Sequence, residues 1–220
     1  MLLPLEPQVP VSRCPRSRGR FSYAFGGITD TNRDGYPDLV ARDPSGNLWF
    51  YPGDAKHGLA TPRKLVGTGW GGLTFIGLRD WDGDGNPDII VKDTNGVIWN
   101  YPGNPDGTHG SRIQVSTGWA NMSFGGLADW NKDGYMDVIA RDSLGNLYLY
   151  PSDTRHGLSY TTRSTIGTGW GDMTFAGLPD WDGDGNPDIV ARDQAGTLWR
   201  YTGTDVSVGT SSRRQISTDW

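Results

Sequence analysis

The sequence has very little of several things that would otherwise guide its interpretation. Cys14 is its only cysteine, so no disulfide within the chain can hold the fold together. It contains three histidines, His57, His109 and His156, and neither a Gly-x-Ser-x-Gly nor a His-Glu-x-x-His motif. No apolar run approaches the roughly 20 residues that a membrane-spanning helix needs. These absences exclude a disulfide scaffold, two common hydrolase signatures and a helical membrane span.

Short acidic loops are what the sequence has in abundance. A nine-residue pattern with Asp or Asn at positions 1, 3, 5 and 9 and Gly at position 6 occurs at 30–38, 80–88, 129–137 and 180–188. Hard cations take about six to eight oxygen ligands from a sharply turned backbone, and this pattern supplies them. The sequence therefore predicts four calcium-binding loops, which also account for much of the formal net charge of −5.

The loops lie about 50 residues apart, since they begin at residues 30, 80, 129 and 180. Such a period is typical of propeller blades, which must stack on one another to bury their faces. Each loop lies between an aromatic and glycine-rich segment and a short aliphatic run, followed by an Asp-x-x-Gly turn and another apolar strand. We therefore predict an all-β fold, a β-propeller of four-stranded antiparallel blades with four blades in this chain. The predicted blades are approximately 21–70, 71–119, 120–170 and 171–220, and residues 1–20 are a linker or remnant.

These residues resemble a known family. The loop pattern, preceded by Phe-x-Gly at Phe25, Phe75, Phe124 and Phe175, is similar to the FG-GAP/VCBS repeat of integrin-α-like β-propellers. In that family the loop joins the first two strands of a blade and binds calcium. The resemblance implies up to four calcium ions, one per repeat, held by side chains at positions 1, 3, 5 and 9 and by the carbonyl at position 7.

The ligands that the resemblance implies are as follows. Loop one would use Asp30, Asn32, Asp34, Tyr36 and Asp38. Loop two would use Asp80, Asp82, Asp84, Asn86 and Asp88. Loop three would use Asp129, Asn131, Asp133, Tyr135 and Asp137. Loop four would use Asp180, Asp182, Asp184, Asn186 and Asp188.

An EF-hand is the competing interpretation, because Asp-x-Asp-x-Asp-Gly opens its calcium loop too. An EF-hand requires a bidentate Glu at position 12. Here that position holds Ala41, Val91, Ala140 and Ala191, and both flanks of each loop have the pattern of strands. The sequence therefore favours the propeller.

Propellers of this family commonly have seven blades, whereas this chain has four repeats. Four is also the lower limit for a propeller. The chain could close alone, pair with a second copy as a homodimer with eight blades, or form part of a larger propeller.

The residues indicate a binding module rather than an enzyme. The histidines lie in equivalent connections of a ring and would point apart, and the carboxylates are better explained as metal ligands. Repeated aromatic residues near loops suit sugar surfaces, and lectins similar to this repeat family bind glycans in this way. The first hypothesis is multivalent carbohydrate binding. Its candidate residues are Tyr51, His57, Trp70, Trp119, Tyr150, His156 and Trp170.

Two other functions fit the sequence. One is a protein–protein adhesion platform, and the other is a targeting domain of a secreted hydrolase or toxin that binds a cell-surface polysaccharide. Calcium loops of modest affinity favour a secreted, extracellular location, although residues 1–20 contain Glu6 and four prolines and lack the apolar run of a signal peptide. Nucleic acid is not an expected partner, since no basic stripe with interleaved aromatics occurs.

Overall fold

The computed structural model describes residues 22–56, 58–154, 157–158, 162–204, 207–208 and 213–218. These residues form four sheets of four antiparallel strands each, arranged as the blades of a β-propeller. The predicted all-β propeller with four blades is therefore confirmed. The proposed linker, residues 1–20, lies outside the described residues. No helix in the described part of the chain is long and apolar enough to cross a membrane.

Each blade runs from its first strand at the centre to its fourth strand at the edge. Blade one contains Ala24–Thr29, Asp38–Arg42, Leu48–Tyr51 and Lys64–Gly67. Blade two contains Thr74–Arg79, Asp88–Lys92, Ile98–Tyr101 and Ile113–Ser116. Blade three contains Ser123–Ala128, Asp137–Arg141, Leu147–Tyr150 and Ser164–Gly167. Blade four contains Thr174–Gly177, Ile189–Arg192, Leu198–Tyr201 and Arg214–Ser217.

Smaller elements connect these strands. A 3-10 turn, Trp70–Gly72, leads from blade one to blade two. Short hairpins lie in the connections between the third and fourth strands of blades three and four. One pairs Ser152–Thr154 with Gly157–Leu158, and another pairs Gly203–Thr204 with Ser207–Val208. The predicted Asp-x-x-Gly turns join the second and third strands. In the first of them Asp43 accepts hydrogen bonds from the N–H groups of Ser45 and Asn47, and Gly46 has φ 80°.

Tryptophans at the blade junctions form the core between neighbouring blades. Trp70, Trp119 and Trp170 are each 3% exposed or less. Each ring packs against the Phe of the next blade's first strand and the Tyr of its third strand. Trp119, for example, lies 5.7 Å from Phe124 and 4.5 Å from Tyr150 between ring centroids. Burying so large a side chain supplies much of the energy that holds two blades together.

A cation from each of the first three blades strengthens the same junctions. The guanidinium of Arg141 donates hydrogen bonds to the carbonyls of Trp170 and Met173, at 2.5 and 2.6 Å. Arg42 and Lys92 make equivalent bonds to carbonyls in the segments that lead into blades two and three. These cations are therefore structural, because they bind main-chain carbonyls of the turns that lead into the next blade.

The two outer faces of the blade series are less covered than the faces between blades. Leu78 packs on Gly26 and Gly27, and Leu127 packs on Gly77, each in the preceding blade. These leucines are 2% and 4% exposed, whereas the equivalent Ile28 is 68% exposed. At the other end, Trp181 is 52% exposed, whereas the equivalent Trp130 is 1% exposed. Three buried hydrophobic clusters join blade one to two, two to three and three to four. The described residues therefore leave apolar side chains open on blades one and four.

This difference predicts unequal effects for two equivalent tryptophans. Trp130→Ala should lower the free energy of unfolding by about 3 kcal/mol, because it removes a buried indole that donates a hydrogen bond to the Thr204 carbonyl at 2.9 Å. Trp181→Ala should change it by less than about 1 kcal/mol, as is usual for exposed positions. Urea unfolding of the two variants measures both. An equally large loss for Trp181→Ala would show that a closed ring, a second copy or a further blade covers this face in solution.

Candidate metal loops and binding clefts

Each acidic loop joins the first and second strands of its blade and is folded by its own carboxylates. In loop two, Asp80 accepts hydrogen bonds from the N–H groups of Gly83 and Gly85, at 2.8 and 2.9 Å. Asp84 accepts one from the N–H of Asn86 at 2.6 Å. Position 4 takes a left-handed conformation, which Gly83 adopts readily at φ 75°. The local sequence therefore turns the backbone sharply and directs several oxygens inward.

The aspartate at position 9 is the most deeply placed residue of each loop. Asp38, Asp88, Asp137 and Asp188 are all 0% exposed. In loop three, one oxygen of Asp137 accepts from the N–H groups of Trp130 and Asn131, at 3.0 and 3.3 Å. Its other oxygen accepts from the N–H of Ser152 at 3.0 Å, beyond the third strand. The predicted ligand therefore also fastens the loop to the exit of the third strand.

That contact explains a glycine fifteen residues after position 9 in three of the blades. A Cβ on Gly103 would lie 2.2 Å from the carbonyl oxygen of Pro87, and Gly53 and Gly203 are equally close to theirs. Blade three has Ser152 at this place, and there the preceding loop residue is Met136 rather than proline. A proline directly before position 9, together with a glycine fifteen residues after position 9, marks this contact in the sequence. Sequence reasoning missed this signal.

The donor set of loop two fits a hard cation. Carboxylate oxygens of Asp80, Asp82 and Asp88 lie within 4.8 Å of one another. The side-chain oxygen of Asn86 is buried and has no hydrogen-bond partner in the described structure, and the same holds for one oxygen of Asp129 in loop three. Oxygen ligands clustered at a tight turn are what calcium prefers.

Burial also disfavours the charged form of the position 9 aspartates in loops two and three when no positive charge lies nearby. It raises the pKa of Asp88 to about 6, although hydrogen bonds from Gly103 and Trp81 oppose the shift. The pKa of Asp137 is raised to about 6 for the same reason. A raised pKa means that the environment disfavours the carboxylate form, which a bound cation would stabilise. The residues that would hold such an ion are the loop ligands named above.

Loop four contains a cation of its own. Arg200, the third residue of the fourth blade's third strand, is 7% exposed. A nitrogen of its guanidinium lies 2.5 Å from a carboxylate oxygen of Asp182 and 3.5 Å from one of Asp188. The equivalent residues in blades one to three are Phe50, Asn100 and Leu149.

The structure corrects most of the predicted sugar-binding residues. Trp70, Trp119, Trp170 and Tyr150 are buried between blades, where their ring faces already contact other side chains and a sugar cannot reach them. Tyr51 is half-buried, and its hydroxyl accepts a hydrogen bond from Arg63 at 2.9 Å. His57 and His156 lie outside the described residues.

The third-strand aromatic side chains also contact other groups of their own blade, in a pattern that sequence reasoning did not identify. The indole N–H of Trp49 donates to Asp43 at 2.8 Å, which is the main reason that the pKa of Asp43 falls to about 2. The guanidinium of Arg63 lies 3.8 Å from the centre of the Trp49 ring. Blades two and four repeat this arrangement, and blade three has Tyr148 in place of tryptophan. An arginine shortly before each fourth strand was the available signal.

The open spaces of the molecule lie near the loops and at the centre. A cleft of about 380 Å³ lies between loops two and three, with Asp80, Asp133 and Tyr135 in its wall. A second, of about 330 Å³, lies between loops three and four and includes Lys132. Between loops one and two, Arg33 donates hydrogen bonds to the carbonyls of Asp84 and Gly85. The first strands of all four blades line a central cavity of about 390 Å³.

Comparison with protein families identifies the repeat. The model of the FG-GAP-like repeat matches residues 30–91, 80–140 and 129–191, each match running from one acidic loop through the strand that follows the next. The chain belongs to the FG-GAP-like repeat family. The family resemblance predicted from the loops is thereby confirmed. A comparison with curated proteins gave no match.

Several solved structures are similar to this FG-GAP-like chain. One is an Agrocybe aegerita lectin that recognises non-reducing terminal N-acetylglucosamine, with 15% identity, a TM-score of 0.50, and 91% of this chain and 68% of that chain covered. Others are the PQQ domain of pyranose dehydrogenase from Coprinopsis cinerea (15% identity, TM-score 0.43, 92% and 54% covered) and BBS1N in complex with ARL6DN (11% identity, TM-score 0.43, 86% and 52% covered). The chain spans about half to two thirds of their lengths.

Proposed function

We propose that this protein is a non-catalytic, calcium-stabilised propeller module that binds glycans in the clefts between neighbouring acidic loops. The observation that carries the proposal is the cleft between loops two and three, in which Tyr135 is 37% exposed beside carboxylates of both loops. An aromatic side chain with a few convergent polar groups is the usual composition of a small-ligand site. The fold that the chain shares with the Agrocybe aegerita lectin agrees with this proposal.

Calcium has two roles in the proposed function. It neutralises the loop carboxylates, which lets adjacent loops lie close together, and it fixes the backbone that positions Tyr135. The cleft between loops three and four offers a second, related site that includes Lys132, so one molecule presents more than one weak site. Several weak sites on one rigid body give avidity for a surface that repeats the same sugar. The location that fits this role is extracellular, where calcium is abundant.

A glycan array in millimolar calcium tests the proposal. We expect binding to one class of sugar, loss of binding with a chelator, and at least a tenfold weaker signal for Tyr135→Ala, because the aromatic wall of the cleft is removed. Tyr36→Ala is the matched control, since Tyr36 has the same loop position and the same 37% exposure but lies outside this cleft. A folded protein that binds no glycan would overturn the proposal and favour protein adhesion or a targeting role.

A further inference from the structure

We propose that Arg200 acts as a built-in cation in loop four, so that this loop binds calcium more weakly than loop two and is held together without it. The two loops have identical sequences, Asp-Trp-Asp-Gly-Asp-Gly-Asn-Pro-Asp in both. Sequence alone therefore predicts equal affinity. The difference between them comes from the neighbouring third strand, outside the loop.

The register of the blades places the differing third-strand residue opposite the second residue after position 9 of the loop. Arg200 pairs with Val190 across the strands, and Asn100 pairs with Ile90 at the equivalent place in blade two. Both side chains reach the aspartate at position 9, since Asn100 donates to Asp88 at 3.3 Å and Arg200 lies 3.5 Å from Asp188. Only the arginine extends further, to Asp182 at 2.5 Å.

The chemistry of the two side chains has opposite consequences for a bound ion. Asn100 is neutral and leaves the charge of loop two uncompensated. Arg200 brings a permanent positive charge and hydrogen-bond donors, and it offers calcium no ligand. Calcium in loop four must therefore compete for oxygens of Asp182 and Asp188 with a guanidinium that is attached to the same blade. It must also approach a fixed like charge.

Loop four keeps a set of oxygens that an ion could still reach. Carboxylate oxygens of Asp180, Asp182 and Asp184 lie within 4.8 Å of one another, and all three residues are exposed. In loop two the corresponding cluster includes the buried Asp88. The exposed set favours a weaker and more hydrated site. Arg200 therefore places loop four below loop two in calcium affinity, and calcium removal should change loop four less than loop two.

Exchanging the two third-strand residues tests this inference, which rests on the proposed calcium binding. Calcium titration of the decalcified 220-residue chain by calorimetry should show three tighter sites and one weaker site. Arg200→Asn should raise the affinity of the weaker site at least tenfold, and adding Asp184→Ala should abolish that gain. The reciprocal Asn100→Arg should convert one tighter site into a second weak one, in a protein whose loop four is unchanged.

The outcomes separate this inference from the broader calcium proposal. Four equal sites that neither exchange alters would overturn the role of Arg200 and leave calcium binding intact. A chain that binds no calcium would overturn both. If Arg200→Asn fails to fold without calcium, Asn100→Arg still decides the matter, because it adds a charge instead of removing one. Native mass spectrometry at limiting calcium gives the number of bound ions independently of the calorimetry.

Discussion

Removing calcium should lower the melting temperature of this protein by about 10 °C. A ligand present at about tenfold its dissociation constant stabilises the folded state by about 1.4 kcal/mol per site. Three such loops together contribute about 4 kcal/mol, and each kcal/mol shifts the melting temperature by about 2–4 °C in a chain of this length. Calorimetric melts in millimolar calcium and in excess chelator measure the effect.

Two controls make that experiment specific. Restoring calcium after chelation should restore the higher melting temperature, which excludes irreversible damage. Magnesium at the same concentration should stabilise less, because it demands near-ideal octahedral geometry and gives up its water reluctantly. Identical melts with and without chelator would contradict calcium stabilisation. The loops would then be held by main-chain hydrogen bonds such as those from Gly83 and Gly85 to Asp80.

Much of the fold is predictable from the sequence because the same pattern of loop, strand and turn occurs four times. A loop of four oxygens and a glycine, an aliphatic run and an Asp-x-x-Gly turn recur in register, so an error in one repeat is corrected by the others. The Asp43 turn and the strand Asp38–Arg42 illustrate this, since each appears where its repeat pattern places it. Repetition thus identifies the blade and its acidic loop.

Two parts of the candidate site depend on tertiary neighbours and were not predictable in the same way. An aromatic residue at a repeated position can bind a ligand or fill the space between two blades. Only the packing of the folded chain distinguishes these roles, and Trp119 is buried between blades. Arg200 is the reverse case, because its position holds a different residue in each of the four blades and its partner, Asp182, lies eighteen residues earlier. Comparison of the repeats therefore gives no signal at this position. The exposure of the Ile28 and Trp181 side chains likewise depends on which surface packs against blades one and four.

Asp137→Ala should lower the free energy of unfolding by about 5 kcal/mol, even in excess chelator. The change leaves the buried N–H groups of Trp130 and Ser152, and the partly buried N–H of Asn131, without their acceptor. Each unpaired buried donor costs about 1–3 kcal/mol. The loss should therefore appear with or without calcium, because it comes from the contact between the loop and the third strand. Urea unfolding in chelator measures it directly.

Asp133→Ala separates that structural contact from metal binding within the same loop. Asp133 is exposed, and its carboxylate accepts hydrogen bonds from within the loop only, from Tyr135 and Asn131 at 2.9 Å. It should therefore cost little in chelator but remove most of the stabilisation that calcium gives loop three. If Asp137→Ala behaved in the same way, with a loss that appears only in calcium, its buried hydrogen bonds would contribute little and position 9 would act as a ligand alone. The pair thus assigns two positions of one loop to separate roles, since position 5 would bind the ion and position 9 would also hold the loop to the third strand.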